Sequence, residues 1–136
     1  MPEETLKILY LEDIPQVLDV WLKFLRDNWG EQCIGVRSRE KAIQLIDDGF
    51  KPDLVIFDRG ILYHEDDEVD NPGAGDSLYY YLWKRKICVA VFSGSDLEYQ
   101  EPYASQPPLG FFKKPVHAEV LRSVIDLFLQ SRLHDR

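Results

Sequence analysis

The stretch Lys51-Pro52-Asp53-Leu54-Val55-Ile56-Phe57-Asp58-Arg59-Gly60 reads as a turn, a strand buried on both faces, and a carboxylate at the strand's C-terminal end. Leu54 to Phe57 is an uninterrupted apolar run between Pro52 and Gly60, the pattern of a central parallel strand covered by helices on both sides. In an open α/β sheet, ligands bind in the crevice outside the carboxyl ends of the strands, so Asp58 is well placed for chemistry. An Asp after a strand also caps turns and helices. The remainder of the chain has to decide between the two roles.

Towards the N-terminus, Leu6 to Leu11 is a second nearly continuous apolar run, and it ends at Glu12-Asp13. Helical spacing follows it. Val17, Trp21, Phe24 and Leu25 share one face, Pro15 sits in the first turn where its missing N–H costs nothing, and Gly30 stops the helix. Cys33 to Val36 reads as a short strand. Ser38 reads as the N-cap of a helix whose buried side is Ala42, Ile43, Leu45 and Ile46, and Asp47-Asp48-Gly49 as its end.

Towards the C-terminus, periodicity fails for about seventeen residues, from Arg59 to Gly75, across an acidic stretch containing Pro and Gly. Loops longer than roughly 12–15 residues are uncommon in compact domains and tend to be functional or disordered. This one reads as a solvated, floppy loop, with a site for a metal or a basic partner as the alternative. Asp76 or Ser77 then caps a helix from Leu78 to about Lys86, whose tyrosines and Trp83 read as packing residues. Ile87 to Phe92 is a fourth strand, ending at Ser93-Gly94-Ser95. Asp96 to Gln100 allows a helical turn or two, which Pro102, Pro107 and Pro108 keep from lengthening. Leu109 to Lys113 is a short fifth strand leading into Lys114-Pro115. Ala118, Leu121, Val124, Ile125, Phe128 and Leu129 mark a last amphipathic helix from about His117 to Leu133. The order is βα five times, with the fourth helix weakened and the loop between the third strand and third helix enlarged. Such alternation implies an α/β, doubly wound parallel sheet with right-handed crossovers.

A length of 136 residues suits one domain with a real core, and no internal repeat or second domain is evident. The formal net charge of -8 argues against nucleic-acid binding, which needs a basic surface. Much of that acidity is local, because Glu65, Asp66, Asp67, Glu68 and Asp70 supply five of the charges. Cys33 and Cys88 both fall inside apolar runs and read as buried, reduced thiols. The N-terminus lacks the basic start and apolar core of a signal peptide, and no run approaches a membrane span. A cytoplasmic protein is the expectation.

Four of the five strands end in a polar group: Glu12 and Asp13, then Asp58, then Ser93, then Lys114. In a parallel sheet those ends lie along one edge. Separately they read as a helix N-terminus favoured by its dipole, a turn former and a surface lysine. Together they suit phosphoryl chemistry. Clustered carboxylates raise one another's pKa unless a cation holds them, and Mg2+ takes one or two carboxylates while filling its other positions with water and phosphate oxygens. Asp58 is then the nucleophile, since a carboxylate can form an aspartyl phosphate. Lys114 and Ser93 supply charge and a hydrogen bond to the phosphoryl oxygens.

Over Leu6 to about Leu133 these motifs resemble the receiver domains of two-component response regulators. They are the acidic pair Glu12-Asp13, the phospho-acceptor Asp58 closing Asp53-Leu54-Val55-Ile56-Phe57-Asp58, the switch hydroxyl Ser93 followed by Gly94, and Lys114-Pro115. The resemblance implies a flavodoxin-like fold with strand order 2-1-3-4-5. It also implies Mg2+ held by Asp13, Asp58 and the backbone carbonyl of Gly60, with Glu12 acting through water. Phosphotransfer to Asp58 would come from a histidine kinase or histidine phosphotransfer protein, followed by slow self-catalysed hydrolysis. Lys114-Pro115 looks like the family's cis peptide, and Phe111 matches the rotating aromatic that reports phosphorylation to a downstream protein partner.

Three features depart from the family pattern. Leu62 stands where a proline usually follows the acceptor, and Pro72 and Gly75 come late, as though about nine residues were inserted. The fourth helix is broken by prolines. No effector domain follows Arg136, so a stand-alone phosphorylatable receiver is the first expectation. A pseudo-receiver, a constitutive interaction module without phosphotransfer, is the alternative. A phosphatase of the haloacid dehalogenase type would carry a second Asp two positions after the nucleophile, where this chain has Gly60.

Overall fold

The sheet expected from the five apolar runs is present in the computed structural model of the protein, which describes residues 5–93, 103, 108–113 and 116–134, those at 111, 113, 133 and 134 by their backbone. Its strands are β1 (Ile8–Leu11), β2 (Ile34–Val36), β3 (Leu54–Asp58), β4 (Cys88–Ser93) and β5 (Gly110–Lys113). They pair in parallel in the order β2-β1-β3-β4-β5, the order implied by the resemblance. Between and after them lie α1 (Pro15–Trp29), α2 (Arg39–Asp47), α3 (Pro72–Lys84) and α4 (Ala118–His134). The weak helix read at Asp96 to Gln100 lies outside the described residues.

Successive side chains of a strand point to opposite faces, and here that alternation divides the core in two. Ile8, Tyr10, Leu54, Ile56, Ala90 and Phe92 pack with Leu25 and Trp29 of α1 and Leu121, Val124 and Phe128 of α4. Leu9, Leu11, Val55, Phe57, Val89 and Val91 pack with Ala42 of α2, Leu78, Tyr79 and Leu82 of α3, and Tyr103. β3 sits between β1 and β4, so Leu54 to Phe57 are at most 1% exposed. Asp58 is the first half-buried residue of that strand.

The stretch after β3 differs most from its reading in sequence. α3 begins at Pro72, not near Leu78, and its cap is Asn71, whose Oδ1 accepts from the Gly73 N–H at 2.8 Å. Pro72 occupies the first helical position, where proline is pre-organised for a helix. Gly75 is a contact residue: a Cβ there would collide with the carbonyl oxygen of Arg59. Pro and Gly were thus signals of helix start and close packing, and the loop ends at Asn71.

The first residues of that loop, and its end at Asn71, are tied to the rest of the chain. Ile61 and Leu62 are buried, Leu62 pairs with Ser38, and Ile61 pairs with Asn71. The Arg39 and Glu40 amides at the start of α2 donate to the carbonyls of Leu62 and Tyr63 at 2.8 and 3.0 Å. Ser38 caps α2 by accepting from the Lys41 N–H at 3.1 Å, and its hydroxyl donates to Glu65 Oε1 at 2.7 Å. His64 Nδ1 lies 2.9 Å from Glu40 Oε2. Cys33 is buried as expected, but Cys88 is exposed because β4 starts there, at the sheet's N-terminal edge. Both cysteines are free thiols.

Candidate functional site

β1 connects through α1 to β2 on one side, whereas β3 lies on the other, so the sheet has its topological switch point between β1 and β3. That is where an open parallel sheet leaves a crevice at the carboxyl ends of its strands. Glu12 and Asp13 follow β1, and Asp58 closes β3. The register Tyr10↔Ile56 and Leu11↔Phe57 sets these two strand ends side by side.

Local hydrogen bonds hold two of the carboxylates and the backbone of the third. The Glu12 N–H continues the ladder by donating to the Val36 carbonyl at 3.1 Å, and Glu12 Oε1 accepts from the Ile14 N–H at 3.3 Å. Arg37 Nε, reaching from the end of β2, donates to the Asp13 carbonyl at 2.9 Å. Asp58 Oδ1 accepts from the Gly60 N–H at 3.0 Å, which turns the chain back beside the carboxylate. Two of the acids act on the third. Burial, a hydrogen bond with Asp13, and the charges of Asp13 and Asp58 push the Glu12 carboxyl up to about 7. Burial first, then the charges of Glu12 and Asp58, push the Tyr10 hydroxyl upward as well.

Ser93 ends β4 beside Asp58's strand, 8% exposed, with Lys113 of β5 in register. Phe111 lies in β5 opposite Val91. Lys114 and Pro115, and with them the proposed cis peptide, fall outside the described residues. The structure therefore brings together Glu12, Asp13, Asp58 and Gly60, and places Ser93 at the neighbouring strand end.

Among the described residues, no three His, Cys, Asp or Glu converge as ligands of one ion. Mg2+ asks for fewer, since it takes one or two carboxylates and completes its shell with other oxygens. Two carboxylates and a backbone carbonyl at Gly60 match that donor set. The upward shift at Glu12 comes first from burial, and the smaller part that comes from the charges of Asp13 and Asp58 is one a divalent cation would relieve.

Two arginines were missed in the sequence. Arg37 follows β2, the one strand end given no polar role, so counting all five strand ends would have found it. Arg59 turns its guanidinium to Asp76 of α3, with Nε and an Nη 3.0 and 3.1 Å from the two carboxylate oxygens. The Tyr103 hydroxyl donates to the same Asp76 at 2.8 Å. Nothing in the sequence spacing links those three residues.

No family model and no curated protein matches the sequence. Solved structures do. The chain resembles the signal receiver domain of a LuxO repressor protein from Vibrio parahaemolyticus at 19% identity and a TM-score of 0.72, over 96% of this chain and 95% of that one. A similar match is the receiver domain of a modulated diguanylate cyclase from Desulfovibrio desulfuricans G20, with 18% identity and a TM-score of 0.71 over 98% and 100% of the two chains. A third is the receiver domain of an HD domain-containing protein from Pseudomonas fluorescens Pf-5, with 16% identity and a TM-score of 0.73 over 98% and 100%. The fold is that of signal receiver domains, flavodoxin-like and nearly complete in its coverage. Among the described residues no helix is long and apolar enough to cross a membrane.

Proposed function

We propose that this chain is a response regulator receiver that accepts a phosphoryl group on Asp58. The observation that carries the reading is the meeting of Glu12, Asp13 and Asp58 at the β1/β3 switch point, close enough for the last two to raise the pKa of the first. The donor is a histidine kinase or a histidine phosphotransfer protein. An Asp58 oxygen forms the O–P bond as the P–N bond of phosphohistidine breaks, and the electron pair returns to the imidazole. Water later attacks phosphorus, the O–P bond breaks, and the carboxylate is regenerated.

Mg2+ held by Asp13, Asp58 and the Gly60 carbonyl, with Glu12 acting through water, would supply positive charge against the phosphoryl oxygens. Ser93 donates a hydrogen bond to those oxygens, and Lys114 offsets their charge. The same pull on Ser93 repositions Phe111 in β5, which biases a two-state surface read by a downstream protein partner. The protein works in the cytoplasm, without direct contact to nucleic acid or membrane.

Mass spectrometry after treatment with acetyl phosphate and Mg2+ tests the reading. A phosphoryl adduct on Asp58, absent from Asp58→Asn, is expected. An unmodified wild-type chain that also fails to bind beryllofluoride would overturn it in favour of the pseudo-receiver.

A further inference from the structure

Residue 59 separates Asp58 from the Gly60 amide that hydrogen-bonds it, and it is anchored at every group it has. Its N–H donates to the Phe92 carbonyl of β4 at 3.1 Å. Its carbonyl oxygen packs against Gly75 of α3, where only a missing Cβ leaves room. Its guanidinium grips Asp76 through both carboxylate oxygens, a fork geometry that fixes orientation as well as distance. The two side chains are 22% and 25% exposed, so bulk water screens the pair only in part.

Asp76 is held in turn by Tyr103, which lies on the connection between β4 and β5. The Tyr103 ring is fully buried, with its centroid 4.8 Å from that of Tyr79. A buried phenol needs a partner for its hydroxyl, and the Asp76 carboxylate is that partner. The contact spans the face of the sheet opposite α1 and α4.

We propose that Arg59, Asp76 and Tyr103 are positioning residues for phosphoryl transfer, fixing the backbone turn that aims the Gly60 amide at the Asp58 carboxylate. Through them Tyr103 acts on the acceptor by a route other than the one proposed for Ser93 and Phe111. This rests on the phosphoacceptor reading above, but its geometric half does not. The turn from Asp58 to Gly60 is set by the same anchors whether or not phosphate ever arrives.

The test uses the full chain and the conservative variant Tyr103→Phe, which keeps the ring on Tyr79 and removes the hydroxyl. Arg59→Lys, which keeps the charge and loses the fork, is the second variant. Val124→Ala, in α4 on the other face, is a control for general loosening. Expected in both variants is a displaced Gly60 amide resonance in 15N–1H spectra, unmoved in the control, and phosphorylation by acetyl phosphate slowed by about tenfold, or ~1.4 kcal/mol. A Gly60 amide that stays in place, with shifts confined to the neighbours of residues 79 and 103, overturns the proposal. So does a displaced amide with an unchanged rate. If the wild-type chain takes no phosphate, the phosphoacceptor reading fails, and the Gly60 resonance alone decides whether the three residues set the turn.

Discussion

The two faces of the sheet are built from different materials. Beneath α1 and α4 the core is aromatic and dry: Trp21, Phe24 and Trp29 meet edge to face, Phe92 lies against Phe112, and Arg122 covers the rings of Phe24 and Trp29 from outside. Beneath α2 and α3 the core also buries large rings, those of Phe57, Tyr79 and Tyr103, but it carries polar ends. Tyr103, Asp76 and Arg59 make one chain of hydrogen bonds, and Ser38 and Glu65 make another. A dry face is held by area and packing, whereas a polar face is held by satisfied groups and is sensitive to single atoms. Stability and communication with Asp58 are therefore expected to separate by face.

The largest effect should come from the dry face. Phe92→Ala removes a ring from a fully buried site and is expected to cost roughly 3–5 kcal/mol in urea unfolding. A loss of under about 1 kcal/mol would erase the distinction between the faces. Gly75→Ala on the polar face should cost roughly 1–3 kcal/mol, because the added methyl forces α3 away from Arg59. Unlike Val124→Ala, it should also disturb the Gly60 amide. Ser38→Ala removes both a helix cap and the Glu65 anchor and is expected to cost about 1 kcal/mol, read from the urea midpoint.

A smaller effect concerns pH. The folded Glu12 carboxyl, at about 7, holds its proton more tightly than an ordinary glutamate at 4.5. It favours folding below about 4.5, and that advantage is lost as the pH rises through about 7. Asp58→Asn removes one of the charges responsible. Its stability should fall less than that of the wild type between about pH 5 and pH 8, and parallel slopes would show that the two acids do not interact. The mildest change is neutralisation of Asp66, Glu68 and Asp70, all exposed. We expect altered preference among phosphodonors with Mg2+ affinity retained, measured by transfer from several phosphorylated donors and by metal titration.

The five strands were legible because buried parallel strands write themselves as continuous apolar runs, whereas their order in the sheet followed only from the resemblance. Leu54 to Phe57 and Cys88 to Phe92 needed little else. The placing of Glu12, Asp13 and Asp58 at one edge was legible because a parallel sheet has the C-terminal ends of its strands on that edge. What could not be read was the start of α3. Pro72-Gly73-Ala74-Gly75 has loop composition, and only the approach of Arg59 explains why glycine stands in a helix there. The exposed position of Cys88 escaped for a related reason, since an apolar run does not announce which of its residues lies at the sheet's rim. The Arg59–Asp76–Tyr103 contact joins residues that no local pattern relates.

The carbonyls of Leu62 and Tyr63 occupy the first free amides of α2. A helix normally finds such partners in its own cap or in water. Here the acidic loop supplies them from another part of the chain, so loop and helix cannot open independently. In hydrogen exchange the Arg39 and Glu40 amides should lose protection only when the whole 61–65 segment lifts away. Shortening the loop is then no surface edit: removing 61–65 would unwind the start of a helix more than twenty positions earlier in the sequence.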